Sequence, residues 1–357
     1  MFNQIKDRLK QKLPLSILMV LIKGQNNLIR FKELLFLFLF NIDKRPQYEG
    51  IHSQYKTISN KENTEIKKIN KGKEKVIFIN DWNHEIGIVD RLNGILTTYH
   101  LAKQNKRPFY IVWQQPFELT KYLEPSDLDW RKNPKDVSFI RDEAFAGIMM
   151  SDSKSKFFHP IEKFVFKRWF KIKKEFHVNT NCYLYPEKYS KLFKELFKPT
   201  KYLEEAVNKN LPASPYYSYS FRFMQLLGDF KDTYGDILNE EEREHMINRC
   251  LQELFYLLKS LPEGYLALVA SDSKTFLKRA CEADPRIFCI EGEIIHPHTY
   301  FQDPIDNPDI YLKTFLDFFL ISKAEKVYRL QTGKMHTTGF PKLAAYIGNK
   351  PFIVHRF

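Results

Sequence analysis

The stretch KVIFINDWNHEIGIVDRLNGILTTYHLAKQNKRPFYIVW (residues 75–113) decides the fold. It opens on KVIFIN (75–80), a short apolar run of the kind that makes a buried strand. Residues 90–104 then read as a helix, and RPFYIVW (107–113) returns to strand character. Strand, helix and strand at this spacing predict a βαβ unit on a parallel sheet. Asp90 and Arg91 stand together at the helix start, just past the first strand, where open α/β sheets meet their ligands.

The C-terminal part repeats the same logic. YYSYSFRF (216–223), GYLALVAS (264–271), RIFCI (286–290), KVYRL (326–330) and KPFIVH (350–355) read as strands. Helices are expected over 239–260, 273–282, 308–324 and 342–348. Five strands alternating with four helices predict a doubly wound α/β domain. The middle, roughly 114–212, is less legible, with short helices expected at PEKYSKLFKELF and KYLEEAVNKN. The sequence has no internal repeat, no Walker loop and no GxGxxG fingerprint.

Charge is concentrated in two segments. The chain of 357 residues has a net charge of +13, of which residues 1–75 contribute 16 Lys/Arg against 7 Asp/Glu. Residues 154–174, KSKFFHPIEKFVFKRWFKIKK, contribute 8 against 1. The body is near neutral, which argues against a nucleic-acid binder that coats its folded face with cations. The N-terminal apolar runs LSILMVLI and LLFLFLFNI are about half the length that crosses a bilayer. Flanked by lysines and arginines, they predict basic amphipathic helices lying on an anionic membrane surface or packing on the body. The polar stretch 59–75 reads as a linker. Phe164, Phe166, Trp169 and Phe170 interleave with Lys163, Lys167, Arg168, Lys171 and Lys174, a second candidate for lipid or lipid-linked glycan contact, or a surface helix with one buried face. Cys182, Cys250, Cys281 and Cys289 show neither zinc nor secreted-disulfide spacing and are expected as reduced thiols of a cytoplasmic protein.

Polar residues cluster just beyond the C-terminal strands. Arg222 ends the first of them, with Gly228 and Asp229 beyond it. A guanidinium at a strand end calls for an anion, and a diphosphate offers bidentate geometry. Asp272 and Ser273 mark the next strand–helix junction, as helix caps or as ligand contacts. Thr337 and Thr338 precede a helix whose free N–H groups would complete an anion cradle, with capping as the alternative. No carboxylate dyad stands where a metal-bridged diphosphate would want one, so no metal is expected.

The run VDRLNGILTTYHLAKQNKRPFYIVWQQPFELTKYLEPSDLDW resembles the first block of the GT-B fucosyltransferase superfamily, which includes the nodulation and α-1,6-fucosyltransferases and the protein O-fucosyltransferases. Gly87, Asp90, Arg91, the segment Arg107–Tyr110 and Pro116–Phe117 carry the likeness. SFRFMQLLGDF, LVASDS and SKAEKVYRLQTGKMHTTGFPKLAAYIGNKPF are similar to three later blocks in the same order, with Ser220 where the family has a histidine. The resemblance covers about residues 75–357. It implies two Rossmann-like domains facing across a cleft, an acceptor domain (75–212) and a donor domain (213–357), behind a basic amphipathic helical segment (1–74).

It also implies an activity: metal-independent, inverting transfer of fucose from GDP-fucose to a hydroxyl of a cell-surface glycan or a lipid-linked precursor. Arg222, Asp272, Ser273, Thr337, Thr338 and Phe340 would hold the donor, with Gly87 and Arg91 beside it. Asp90 is the first candidate for general base, with Glu85 and His84 behind it, and Arg222 would stabilise the departing diphosphate. The expected location is the cytoplasmic side of the cell membrane, peripherally bound, with no nucleic-acid partner. The alternative is a transferase-like membrane-associated binding protein without catalysis.

Overall fold

The computed structural model describes residues 51–54, 74–82, 86–150, 159–230, 236–295, 307 and 309–357. The expected N-terminal amphipathic helices fall outside these residues; a separate helical turn is described at Ile51–Gln54. In chain order the elements are β1 (Val76–Ile79), α1 (Ile88–Gln104), β2 (Phe109–Val112), β3 (Leu123–Pro125), β4 (Ala144–Met149) and α2 (His159–Trp169). There follow β5 (Glu175–Thr180), α3 (Tyr189–Leu196), β6 (Phe197–Pro199), α4 (Lys201–Asn210), β7 (Tyr216–Phe221) and α5 (Glu240–Leu258). The chain ends with β8 (Leu266–Ser271), α6 (Lys274–Ala283), β9 (Ile287–Phe288), α7 (Leu312–Lys323), β10 (Lys326–Gln331), α8 (Phe340–Gly348) and β11 (Phe352–Arg356).

Two compact units emerge. The first comprises the described residues within 51–82, Asp90–Val112 and 131–184. Its sheet has the order β2-β1-β5-β4, and every pairing is parallel. The βαβ unit expected from 75–113 is present, and all four residues of β1 are buried. Gly94 lets α1 lie against β5, because a Cβ there would come within 1.7 Å of the Thr180 carbonyl oxygen. Arg107, which carries part of the resemblance, braces this unit from within. Its guanidinium donates to the carbonyls of Glu74 (2.7 Å), Lys75 (3.1 Å), Phe170 and Ile172 (both 3.3 Å) and to that of Lys174.

The basic aromatic stretch belongs to this unit's core. Val165, Phe166, Trp169 and Phe170 are buried, and Trp169 and Phe170 meet the Phe176 ring edge-on at 5.8 and 5.3 Å. Of the two readings of this stretch, the surface helix with one buried face is what the structure displays: Val165, Phe166, Trp169 and Phe170 turn inward and Lys167 stays exposed.

The second unit comprises the described residues within 86–89, Trp113–Trp130 and Tyr185–Phe357. Its sheet has the order β11-β10-β7-β8-β9, all parallel. Tyr217, Tyr219 and Phe221 face one core with Leu254, Leu258, Phe276 and Leu277 of α5 and α6. The opposite face of β7 meets α7, where the Tyr216 hydroxyl donates to the Leu320 carbonyl at 2.8 Å. Residues 185–212 join this unit: Ser190 of α3 donates to the Ile347 carbonyl of α8 at 3.0 Å, and Phe193 meets the rings of Phe318 and Phe319. β3 and β6 form a small antiparallel pair in the same unit.

Cys281 and Cys289 are joined as a disulfide between α6 and the residue after β9, whereas the sequence predicts four separate thiols. Cys182 and Cys250 are buried and lie outside this disulfide. No helix among the described residues is long and apolar enough to cross a membrane.

Candidate functional site

The second unit's strand order places its switch point between β7 and β10. The first strand of this parallel sheet lies in its middle, with β8 and β9 to one side and β10 and β11 to the other. Crossovers of opposite direction leave a crevice at the carboxyl ends of these two central strands, where such sheets bind ligands. Arg222 follows β7 directly, and the segment 332–339 follows β10. The two are tied together: the His336 N–H donates to the Arg222 carbonyl at 3.1 Å.

Arg222 is held on its other side by Asp272, Nη1 to Oδ2 at 3.0 Å, and its guanidinium lies 4.7 Å from the centre of the Phe230 ring. With 22 % of its side chain exposed, it keeps a solvent-facing edge. Asp272 is almost fully buried, and both its oxygens are engaged: Oδ1 accepts from Phe223 N–H (2.8 Å) and Oδ2 from Met224 N–H (2.6 Å). Burial pushes its carboxyl pKa up, against the pull of Arg222 and these amides. The sequence suggests Asp272 as a donor contact; the geometry makes it the anchor of Arg222 and of the turn at Met224, whose φ is +56°.

Ser273 is a cap. Its hydroxyl accepts from Phe276 N–H at 3.1 Å and donates to Asp229 at 2.8 Å, while Asp229 also accepts from Thr275 N–H at 2.8 Å. Of the two sequence alternatives for this residue, capping is what the structure displays. Asp229 thereby gains a role as a remote second cap.

Thr337 and Thr338 lie beyond β10 as expected. The Thr337 hydroxyl is exposed and paired with the Gln331 side chain at 2.9 Å. The Thr338 hydroxyl accepts from Phe340 N–H at 3.1 Å, inside the first turn of α8. Phe340 meets the Phe318 ring edge-on at 5.5 Å, which fixes the helix start on α7. One participant is hidden from the sequence. Arg329, within β10, donates from Nη1 to the Thr338 carbonyl at 3.0 Å and so holds the same turn from below.

In the first unit, Asp90 lies in the first turn of α1 and is half-buried. Burial raises its carboxyl pKa from 3.8 to about 6, with neighbouring Arg91 pulling the other way. Arg91 is turned inward, fully buried, with its guanidinium donating to Asn80 at the end of β1. The sequence assigns Arg91 to the donor, whereas here it fixes the strand-to-helix turn. Gly87 precedes α1, and Glu85 and His84 lie outside the described residues. Among the described residues, no three His, Cys, Asp or Glu side chains gather as a metal site.

No family model and no curated protein matches this chain. Among solved structures, a mutant of Arabidopsis thaliana FUT1 in complex with GDP matches with a TM-score of 0.50 and 11 % identity, over 87 % of this chain and 75 % of that one. The selenomethionine form of the fucosyltransferase NodZ from Bradyrhizobium matches with a TM-score of 0.50 and 12 % identity, over 77 % of this chain and 92 % of that one. The chain shares the fold of these fucosyltransferases. In this fucosyltransferase fold the parallel sheets expected from the sequence are present in both units.

Proposed function

We propose that the chain is a glycosyltransferase that moves fucose from GDP-fucose to a hydroxyl of a cell-surface glycan or glycolipid precursor. One observation carries the reading: Arg222 stands at the switch point of the second unit, bonded through its carbonyl to the 332–339 segment that leads into α8. A guanidinium with an exposed edge, beside a helix start, supports the binding of a diphosphate. The GDP in the FUT1 mutant complex supports a guanine nucleotide as the donor's leaving group.

In the proposed reaction the acceptor oxygen forms a bond to the anomeric carbon as the bond from that carbon to the diphosphate breaks. Configuration inverts, and the diphosphate leaves with the bonding pair. Charge that builds on it would be met by Arg222 and by the positive end of the α8 dipole. The acceptor hydroxyl also calls for a base, and Asp90 of the first unit, whose carboxyl pKa is raised by burial to about 6, is the candidate. No metal is assigned to the donor site. The N-terminal 74 residues are proposed to hold the enzyme on the cytoplasmic face of an anionic membrane.

Calorimetry of GDP, GDP-fucose, UDP and CMP in EDTA tests this. Tight GDP binding that Arg222→Ala abolishes is the expected result. Preference for UDP would keep the transferase and discard fucose. No nucleotide binding by folded protein would turn the reading to a non-catalytic membrane-associated binding protein.

A further inference from the structure

On the α7/α8 face of the second sheet the Ser218 and Ser220 hydroxyls and the Arg329 Nε–H are buried with no hydrogen-bond partner among the described residues, and Ser220 and Arg329 are the two nearer the carboxyl ends of their strands. Ser220 of β7 and Arg329 of β10 stand opposite one another in the parallel register. Ser220 is 4 % exposed and Arg329 8 %. Arg329 uses Nη1 on the Thr338 carbonyl and lies 5.8 Å from the Phe352 ring centre, and no carboxylate pairs with it among the described residues. A buried guanidinium with one carbonyl for a partner is costly, and an anion is the group that would offset that cost.

Their position says which anion. Ser220 is the penultimate residue of β7 and lies two residues before Arg222, a separation of roughly 6.6 Å for extended chain. That is a span that one diphosphate can bridge. Arg329 also donates to the Thr338 carbonyl, in the segment that follows β10 at the crevice. We propose that Arg329 and Ser220 form the inner half of the anion site, binding the phosphoryl group of a nucleoside diphosphate that lies deeper than the one met by Arg222. The proposal rests on the donor-site reading above and adds two binding residues to it.

The test uses the full-length protein with Ser220→Ala and Arg329→Lys, titrated with GDP and with guanosine in EDTA. Each variant is expected to bind GDP roughly 10-fold or more weakly, since each removes a donor to a charged group. Guanosine, which lacks phosphate, is expected to bind all forms alike. Ligand-free Ser220→Ala should melt at or above the parent temperature, because it deletes an unsatisfied hydroxyl, so its weaker binding would not be a folding defect. Unchanged GDP affinity in both variants, while Arg222→Ala still abolishes binding, would overturn this inference and leave the donor site standing. Failure of the folded parent protein to bind either GDP or UDP would overturn both together.

Discussion

The backbone N–H of His336 donates to the carbonyl of Arg222 at 3.1 Å, joining the segment after β10 to the end of β7. Residues 114 positions apart in the chain thus meet at the switch point of one sheet. The side chain of Arg222 is fixed independently by Asp272 and Phe230, so its position does not wait for ligand.

Replacing Arg222 with lysine separates charge from geometry. Lysine keeps the cation but loses the fork that spans two oxygens at once. GDP affinity is expected to fall roughly 10-fold or more, while the melting temperature changes little. Arg222→Ala is expected to cost stability as well, on the order of 1–3 kcal/mol, because it leaves the Asp272 carboxyl buried beside its two amides without a cation. Calorimetry and thermal melts of both variants, side by side, check this. Equal GDP binding by Arg222→Lys and the parent would remove the bidentate contact from the proposed donor site.

Asp90 makes stability depend on pH in a definite direction. Its folded pKa is raised from 3.8 to about 6, so between these values the native protein holds more proton than the unfolded chain does. Asp90's contribution is present at the acid end of that window and is lost as pH rises through it, a change on the order of 2 kcal/mol. Asp90→Asn should lack this slope in urea melts taken from pH 4 to 7. The same group predicts an activity limb: kcat/KM should rise with pH through about 6. Activity in Asp90→Asn equal to the parent's would move the base elsewhere.

The strands of the second unit are legible in the sequence because their inner faces repeat large apolar residues, as Tyr217, Tyr219 and Phe221 do. β5 is not legible, since Glu175, His177, Asn179 and Thr180 are all buried and polar. Each is engaged in the interior: Glu175 and His177 pair at 2.9 Å, Asn179 donates to the Ile79 carbonyl at 2.6 Å, and Thr180 donates to that of Met149. A linear pattern cannot reveal partners 31 to 100 residues away. At the site, Arg222, Thr337 and Thr338 stand out because polar residues follow apolar strands. Arg329 does not, because inside KVYRL it reads as one outward residue of an alternating strand.

The aromatic residues of α2 carry stability in place of lipid contact. Trp169 is fully buried, and its neighbour Phe166 lies 5.3 Å away, ring centre to ring centre. Truncation to alanine should cost about 3–5 kcal/mol in urea denaturation. Exposed Lys167→Ala should lie within about 0.5 kcal/mol of the parent. A Trp169→Ala protein with unchanged stability and weakened vesicle binding would return this helix to the membrane.

Gly94 and Gly264 put a scale on two different demands for glycine. Gly264 has φ of +78° with nothing within 4 Å of its missing Cβ, so alanine there meets only the backbone penalty of the left-handed region, roughly 1–2 kcal/mol. At Gly94 the backbone is helical and the obstacle is steric, with the Thr180 carbonyl oxygen 1.7 Å from where a Cβ would sit. Relief requires α1 to move off β5, and α1 carries both Arg91, bonded to the end of β1, and Thr97, whose hydroxyl donates to the Cys182 carbonyl at 2.7 Å. Gly94→Ala should therefore cost more than about 3 kcal/mol, well above the Gly264→Ala variant. Urea midpoints of the two proteins decide it. If Gly94→Ala is the milder change, the close helix-to-strand approach in the first unit is wrong, and with it the turn that positions Asp90.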